Sequence, residues 1–318
     1  MLHVTNGDSA AQGIAAAGLG GEILAWRDTL HEGPLPAGLG PTALCARRAR
    51  FLSACGWGDP GVLEADLRAR DERLAGALGR EPVVLWFEHD LYDQLQLVQV
   101  LSGLPEDAPV EAILADRYLG AMAPDELAAL WPRRTPVSGA QHAEARRAWA
   151  AVREPDPAAV EALLARPPSA LPHLAAALAR WLEELPAAGD GLARSERQAL
   201  RAIAGGAATP RDAFPAAQAA EEAVFLGDTW FHRRLADLGR GEQRLVETAA
   251  GAPLGEPPPA GDGAFATARV RLTERGRAVL AGAADRAAGP PLDRWLGGAR
   301  LTGPRPVRRW DRAAGRVV

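Results

Sequence analysis

The chain contains no lysine. All 36 basic residues among its 318 are arginine, which excludes a lysine Schiff base, a lysine general base and a phosphate-loop lysine. Cysteine is almost missing as well. Cys45 and Cys55 stand ten apart in a stretch of helical character, and no second pair exists to complete a zinc site. They read as two small, buried or half-buried thiols. No stretch approaches the roughly 20 continuous apolar residues of a membrane-spanning helix, so no membrane partner is expected. The first residues enter a strand-like run without the basic-then-apolar order of a secretory leader, and a cytoplasmic location is the expectation. No G-x-S-x-G nucleophile elbow occurs, the Asn6-Gly7 turn does not carry the G-x-G-x-x-G dinucleotide fingerprint, and there is no internal repeat.

What is present is ordinary in bulk and uneven in distribution. Hydrophobic residues make up 47% and charged residues 24%, within the range of globular domains, and the length suits two or more of them. The net charge of -4 hides an asymmetry: residues 1–190 carry 16 Arg against 26 Asp and Glu, whereas residues 191–318 carry 20 against 14. Such a split fits parts with different partners.

Three short apolar runs each end in a burst of polar side chains. Leu2-His3-Val4-Thr5 leads into Asn6-Gly7-Asp8-Ser9. Residues 22–26, ending in Trp26, lead into Arg27-Asp28-Thr29-Leu30-His31-Glu32-Gly33-Pro34. Val83-Val84-Leu85-Trp86-Phe87 leads into Glu88-His89-Asp90-Leu91-Tyr92-Asp93-Gln94. A fourth strand is expected over 110–115, and helices over 9–17, 42–54, 60–78 and from Leu91 onward, with Asp8 or Ser9 capping the first. Strand–helix alternation predicts an α/β fold, a mostly parallel Rossmann-like sheet with helices on both faces, over residues 1–120. In such a sheet all three polar bursts lie at the carboxyl edge, where ligands bind.

Residues 121–190 read as short helices punctuated by proline, and Ala187 to Gly191 as a linker. Residues 191–318 take the order of a winged-helix-like domain: helices over 195–203, 209–224 and 227–238, a wing from strands 245–248 and 266–272 with Pro257-Pro258-Pro259 at its tip, and a closing helix over 273–280. The segment 292–318 is rich in Arg and Trp and shows little periodicity.

The three motifs resemble a bacterial family known as domain of unknown function number 1835, through His3-Val4-Thr5-Asn6-Gly7-Asp8-Ser9-Ala10, Trp26 to Pro34, and Leu85 to Leu95. The tail motifs Arg194-Ser195-Glu196-Arg197-Gln198, Leu272 to Gly276 and Asp293 to Gly298 are similar to the segment often found C-terminal to that domain. The resemblance brings no reaction with it, so no catalytic role is carried over.

The candidate chemistry therefore rests on residue types. Asn6, Gly7, Asp8 and Ser9 at a strand–helix junction suit anion binding, because a glycine admits close approach and the helix start offers free N–H groups. The alternative is a plain turn. His31, between acids and before a Gly-Pro turn, suits proton transfer, with Asp28 holding its ring; the alternative is a loop histidine bonded to its own turn. His89 with Asp90, Asp93 and Gln94 could gather on one face at the start of a helix. Histidine with carboxylates suits Mn²⁺, Zn²⁺ or Fe²⁺, and carboxylates alone suit Mg²⁺, so a divalent metal ion is the cofactor expected, with Asp90 and Asp93 as its ligands; the alternative is a helix cap among solvated neighbours. His3 is expected to be buried and satisfied, and His142, His173 and His232 to be structural or surface residues. One of Arg47, Arg48 and Arg50 could clamp a phosphate, although a solvated helix face is the plainer reading.

Three functions compete. The first is a ligand-binding domain or enzyme, with His31, His89 and Asp28 catalytic, acting on a small anionic or phosphorylated, nucleotide-like molecule, as a metal-assisted hydrolase or transferase. The second is a ligand-responsive regulator binding nucleic acid through residues 227–275, which requires Arg233, Arg234 and Arg269 or Arg271 to form one accessible patch. The third is a non-catalytic interaction protein whose C-terminal region docks on the α/β part. The first requires Asp8, His31 and His89 to meet over one rim.

Overall fold

The computed structural model describes residues 1–258, 263–289, 292–303 and 308–318. Its centre is a five-stranded sheet in the order β2-β1-β4-β5-β6. Strands β1 (Leu2–Thr5), β2 (Glu22–Ala25), β4 (Val83–Phe87) and β5 (Val110–Leu114) run parallel, and β6 (Thr135–Pro136) adds an antiparallel edge. Thr5 stands beside both Ala25 and Trp86, and Phe87 beside Leu114, so the carboxyl ends are level. The mostly parallel α/β sheet is as expected. The edge strand β6 was not foreseen, because two residues ending in proline carry no periodic signal.

The central strand β4 is buried on both faces and alternates between two cores. Val84 and Trp86 join Ala10 and Ile14 of α1 (Asp8–Ala16) and Leu127 of α5 (Pro124–Leu130). Val83, Leu85 and Phe87 join Leu95 and Val98 of α4 (Leu91–Gly103) and Ala148 of α6 (Gly139–Arg153). That period of two is the signature of a strand covered on each side. Beyond the sheet edge, α2 (Pro41–Ala54) and α3 (Pro60–Ala77) pack as a pair, the latter capped by the Asp59 carboxylate on the N–H groups of Gly61 and Val62. Two shorter helices, α7 (Ala158–Leu164) and α8 (Leu174–Leu182), complete the middle segment.

The C-terminal part holds α9 (Arg194–Ala204), α10 (Pro210–Gln218) and α11 (Asp228–Leu238), then an antiparallel pair of β7 (Val246–Thr248) and β8 (Val270–Leu272), with α12 (Gly263–Thr267) between them and α13 (Glu274–Leu280) after. The expected second helix is shorter, ending at Gln218. Ala266 and Thr267, expected in a strand, are helical. Pro259, expected at the wing tip, lies outside the described residues. The expected linker is a turn anchored at both ends, with Ala188 and Gly189 exposed between them: Ala187 and Asp190 are about 1% exposed, and Asp190 pairs with Arg197 and Arg312.

The tail expected to lack periodicity forms strands. β9 (Leu292–Gly297) and β10 (Ala299–Gly303) make a hairpin, and β9 also pairs in parallel with β3 (Gly33–Pro34), in a stretch expected to be plain loop. A last hairpin joins β11 (Trp310–Asp311) to β12 (Arg316–Val317). At the first hairpin, Gly297 has φ +59, and a Cβ on Gly298 would stand 1.8 Å from the Arg153 carbonyl oxygen. The Gly-Gly pair is therefore what lets the tail lie against α6. One continuous apolar core runs from Leu2 to Leu301 through all three expected segments.

Candidate functional site

The chain passes from β1 to β2 on one side and then crosses to β4 on the other. The switch point of the sheet, where the crevice of an open α/β sheet lies, is thus between β1 and β4. Asn6 ends the first strand and Glu88 the second. The Asn6 amide nitrogen donates to Glu88 Oε1 at 3.2 Å and to Asp93 Oδ2 at 2.7 Å. The Leu119 N–H donates to Glu88 Oε1 at 2.6 Å, and the Glu88 N–H to Asp93 Oδ1 at 2.8 Å. Asp90 is the N-cap of α4, its Oδ1 accepting from the N–H groups of Tyr92 and Asp93. Ligand oxygens of Glu88, Asp90 and Asp93 all lie within 4.8 Å of one another, and all three residues are buried.

Three carboxyl groups at that distance repel strongly. Burial, with Asp90 adding to it, pushes the Glu88 carboxyl up to about 7. Burial raises Asp90 to about 6, and burial with both neighbours raises Asp93 well above its ordinary value. No arginine among the described residues pairs with any of the three. That sets them apart in this protein. Asp28 pairs with Arg48 at 2.7 Å, Glu32 with Arg234 at 2.7 Å, Glu184 with Arg180 at 2.9 Å and Glu196 with Arg286 at 3.3 Å. Buried Glu144 is held by the N–H groups of Ser169, Ala170 and Leu171.

The rim above the cluster is made by Asn6 and Gly7, both half-buried, and by the short 3₁₀ turn Leu119–Ala121. Gly7 is the N-cap of α1 in extended conformation and no side chain caps the helix, so neither Asp8 nor Ser9 fills the expected capping role. Asp8 is exposed and turned to Arg27, which grips it at 2.6 Å. The Tyr92 hydroxyl donates to the Asn6 carbonyl at 3.1 Å. Gln94 is buried; its amide donates to the Glu88 carbonyl, and its Oε1 has no partner.

The second motif does something else. Asp28, expected to hold His31, is 1% exposed and instead accepts from Arg48, which also donates to the carbonyls of Thr29 and Glu32. This spends Arg48, expected on a ligand or in solvent. His31 is sealed between Tyr92 and Phe225, with ring centroids at 5.7 and 5.3 Å, and neither ring nitrogen has a partner. Burial, with Arg234 and Arg48 nearby, lowers its pKa to about 3. It stays neutral and out of reach of solvent, so it is not placed for acid–base work at the rim. The expected meeting of Asp8, His31 and His89 does not occur: the first is exposed on Arg27, the second is sealed, and the third lies against Tyr118 and His173 at 5.0 and 6.0 Å.

Motif two is a docking loop. Glu32 receives Arg234 from α11, and Arg233 donates to the Cys55 carbonyl. Trp230 stacks on Phe51 at 5.8 Å with planes 2° apart. Glu184 gathers Arg180, Arg234 and the Ser195 hydroxyl; burial alone would raise its pKa, but Arg180 and Arg234 hold it at about 2. The accessible arginine patch required for nucleic acid is not formed, because Arg234 is buried, Arg233 is bonded and Arg271 pairs with Glu247. Residues 259–262 of that stretch lie outside the described residues.

The other histidines divide as expected in part. His3 is buried and satisfied, accepting from Trp86 and bonded to the Gly20 carbonyl at 2.8 Å. His142 bonds the Leu101 carbonyl. His173 is not isolated, since it faces His89. Both thiols are buried and raised, Cys45 to about 12 by burial and the Asp71 carboxylate. A hollow of about 650 Å³ between α2, α3, α4 and α6 lies apart from the carboxylates, and the arginines that line it, Arg48, Arg68, Arg70 and Arg153, are each paired with or bonded to protein oxygens. Sequence reasoning passed over Glu88 as a ligand; its place between an apolar strand and the Asp90 cap was the available signal.

Compared with protein-family models and with curated proteins, the chain gives no match. No helix of the described residues is long and apolar enough to cross a membrane.

Proposed function

We propose that the switch point between β1 and β4 binds a hard divalent cation through Glu88, Asp93 and Asp90, and through that cation a small anionic or phosphorylated, nucleotide-like ligand, with metal-assisted hydrolysis or group transfer as the reaction class. One observation carries this reading: these are three buried, mutually repelling carboxyl groups without an arginine, in a protein that supplies arginine to Asp28, Glu32, Glu184 and Glu196. A bound cation replaces the missing countercharge. An all-oxygen set suits Mg²⁺ or Mn²⁺. Mg²⁺ is commonly held by one or two carboxylates together with ligand phosphates. The free N–H groups at the start of α1, beside half-buried Asn6 and Gly7, offer the anion its second contact.

The parallel-sheet topology supports the same place, because the first and third 1835-like motifs meet there. For the C-terminal part, three helices followed by an antiparallel pair support the winged-helix reading. The contacts of α11 with α2 and the docking loop favour docking over nucleic-acid binding.

The test is thermal unfolding and calorimetry of chelator-treated protein with Mg²⁺ or Mn²⁺. A ligand at 100 times its dissociation constant adds about 2.7 kcal/mol of stability. Wild type gains stability with either ion, and the Glu88→Gln/Asp93→Asn variant gains none. Absence of any shift in wild type at millimolar ion sinks the reading.

A further inference from the structure

Two of the six histidines, and one carboxylate whose charge acts on both, are uncommitted. His89 comes directly after Glu88 at the end of β4, Asp116 lies just beyond β5, and His173 sits at the N-cap of α8. The His89 and His173 rings stand 6.0 Å apart, centroid to centroid, with planes at 70°. The Asp116 carboxylate acts electrostatically on both rings. The side chains of His89, His173 and Asp116 make no hydrogen bond or ion pair with any described residue, and His89 Nδ1 is buried without a partner. The others differ: His3 and His142 are bonded, His232 is partnered, and His31 is walled in by rings.

We propose that His89, His173 and Asp116 form a second metal site, for a first-row transition ion of the zinc class. The donor set is two imidazoles and one carboxylate, which suits Zn²⁺ and its neighbours where the three buried carboxylates suit Mg²⁺. Two imidazoles bonded to one tetrahedral ion at about 2.0–2.1 Å place their ring centres about 5 Å apart. The observed 6.0 Å is reached from there by small side-chain rotations. Such rotations are required, since among the described residues only Glu88, Asp90 and Asp93 have ligand atoms all within 4.8 Å.

The ring of Tyr118 packs on His89 at 5.0 Å, and its hydroxyl accepts from the Val224 N–H. This fixes one wall of the site from the C-terminal part. Three protein ligands leave a fourth position for water, the pattern of catalytic rather than structural zinc. The site does not depend on the carboxylate reading, because its ligands are different side chains with different metal preference.

The test uses untagged, chelator-treated full-length protein and Co²⁺ as probe, since tetrahedral cobalt absorbs intensely in the visible and is displaced by Zn²⁺. Wild type takes up one Co²⁺ per chain with that absorption, and Zn²⁺ abolishes it. His173→Ala and Asp116→Asn lose it while keeping the wild-type unfolding midpoint of the metal-free protein. Glu88→Gln/Asp93→Asn keeps it, whatever that variant does to Mg²⁺ binding. No absorption in wild type, or undiminished absorption in His173→Ala, overturns the proposal.

Discussion

Replacing Glu88 by Gln isolates the strain in the carboxylate cluster. Gln keeps an oxygen for the Leu119 and Asn6 donors and removes one negative charge. Burial and Asp90 lift the Glu88 carboxyl from 4.5 to about 7. A carboxyl raised in the folded state holds its proton longer there than in the unfolded chain, so folding weakens as pH climbs from about 4.5 to about 7 and stays weakened above. At about 1.4 kcal/mol per unit, the loss is about 3 kcal/mol. Glu88→Gln should therefore be more stable than wild type by about 2–3 kcal/mol at pH 8 without divalent cation, and equal to it near pH 4. Urea unfolding of both proteins from pH 4 to 8.5 in chelator measures this difference, in which groups remote from the cluster cancel and Asp93, relieved of the Glu88 charge, adds to the gain of the variant. A variant less stable than wild type at pH 8, or a gap independent of pH, would refute the account of uncompensated charge.

His31 gives the opposite pH signature. Its folded pKa, lowered from 6.5 to about 3, makes wild type lose stability as pH falls through that window; His31→Leu should remove an acid sensitivity of up to about 5 kcal/mol and leave Mg²⁺-dependent stabilisation in place, read by the same unfolding curves. Arg234→Ala leaves the Glu32 and Glu184 carboxylates facing each other in the docking interface, and should destabilise by about 3–5 kcal/mol, whereas Arg234→Met with Glu32→Gln recovers most of that. Gly298→Ala drives a methyl into the Arg153 carbonyl and should cost about 2–3 kcal/mol, with β9–β10 amides exchanging faster by hydrogen-exchange mass spectrometry. A wild-type midpoint for Gly298→Ala would contradict the close approach of the tail to α6.

The parallel strands, their two-sided burial and the placement of three polar bursts at carboxyl ends were all legible in the chain alone. The unbroken apolar run Val83-Val84-Leu85-Trp86-Phe87 and the Asp90 cap are local properties, and local patterns survive folding. The pairing of β9 with β3 was not legible, because it joins a two-residue strand to a segment more than 250 residues away. Which burst faces a ligand depended on long-range packing. Glu32 and Arg234 are 202 residues apart, and nothing near Glu32 announces that an arginine of α11 will neutralise it. Nor does anything near Glu88 announce that none will. A carboxylate at a strand end is a docking contact or a cation ligand according to the charge that the rest of the chain brings to it, and that charge arrives from far away.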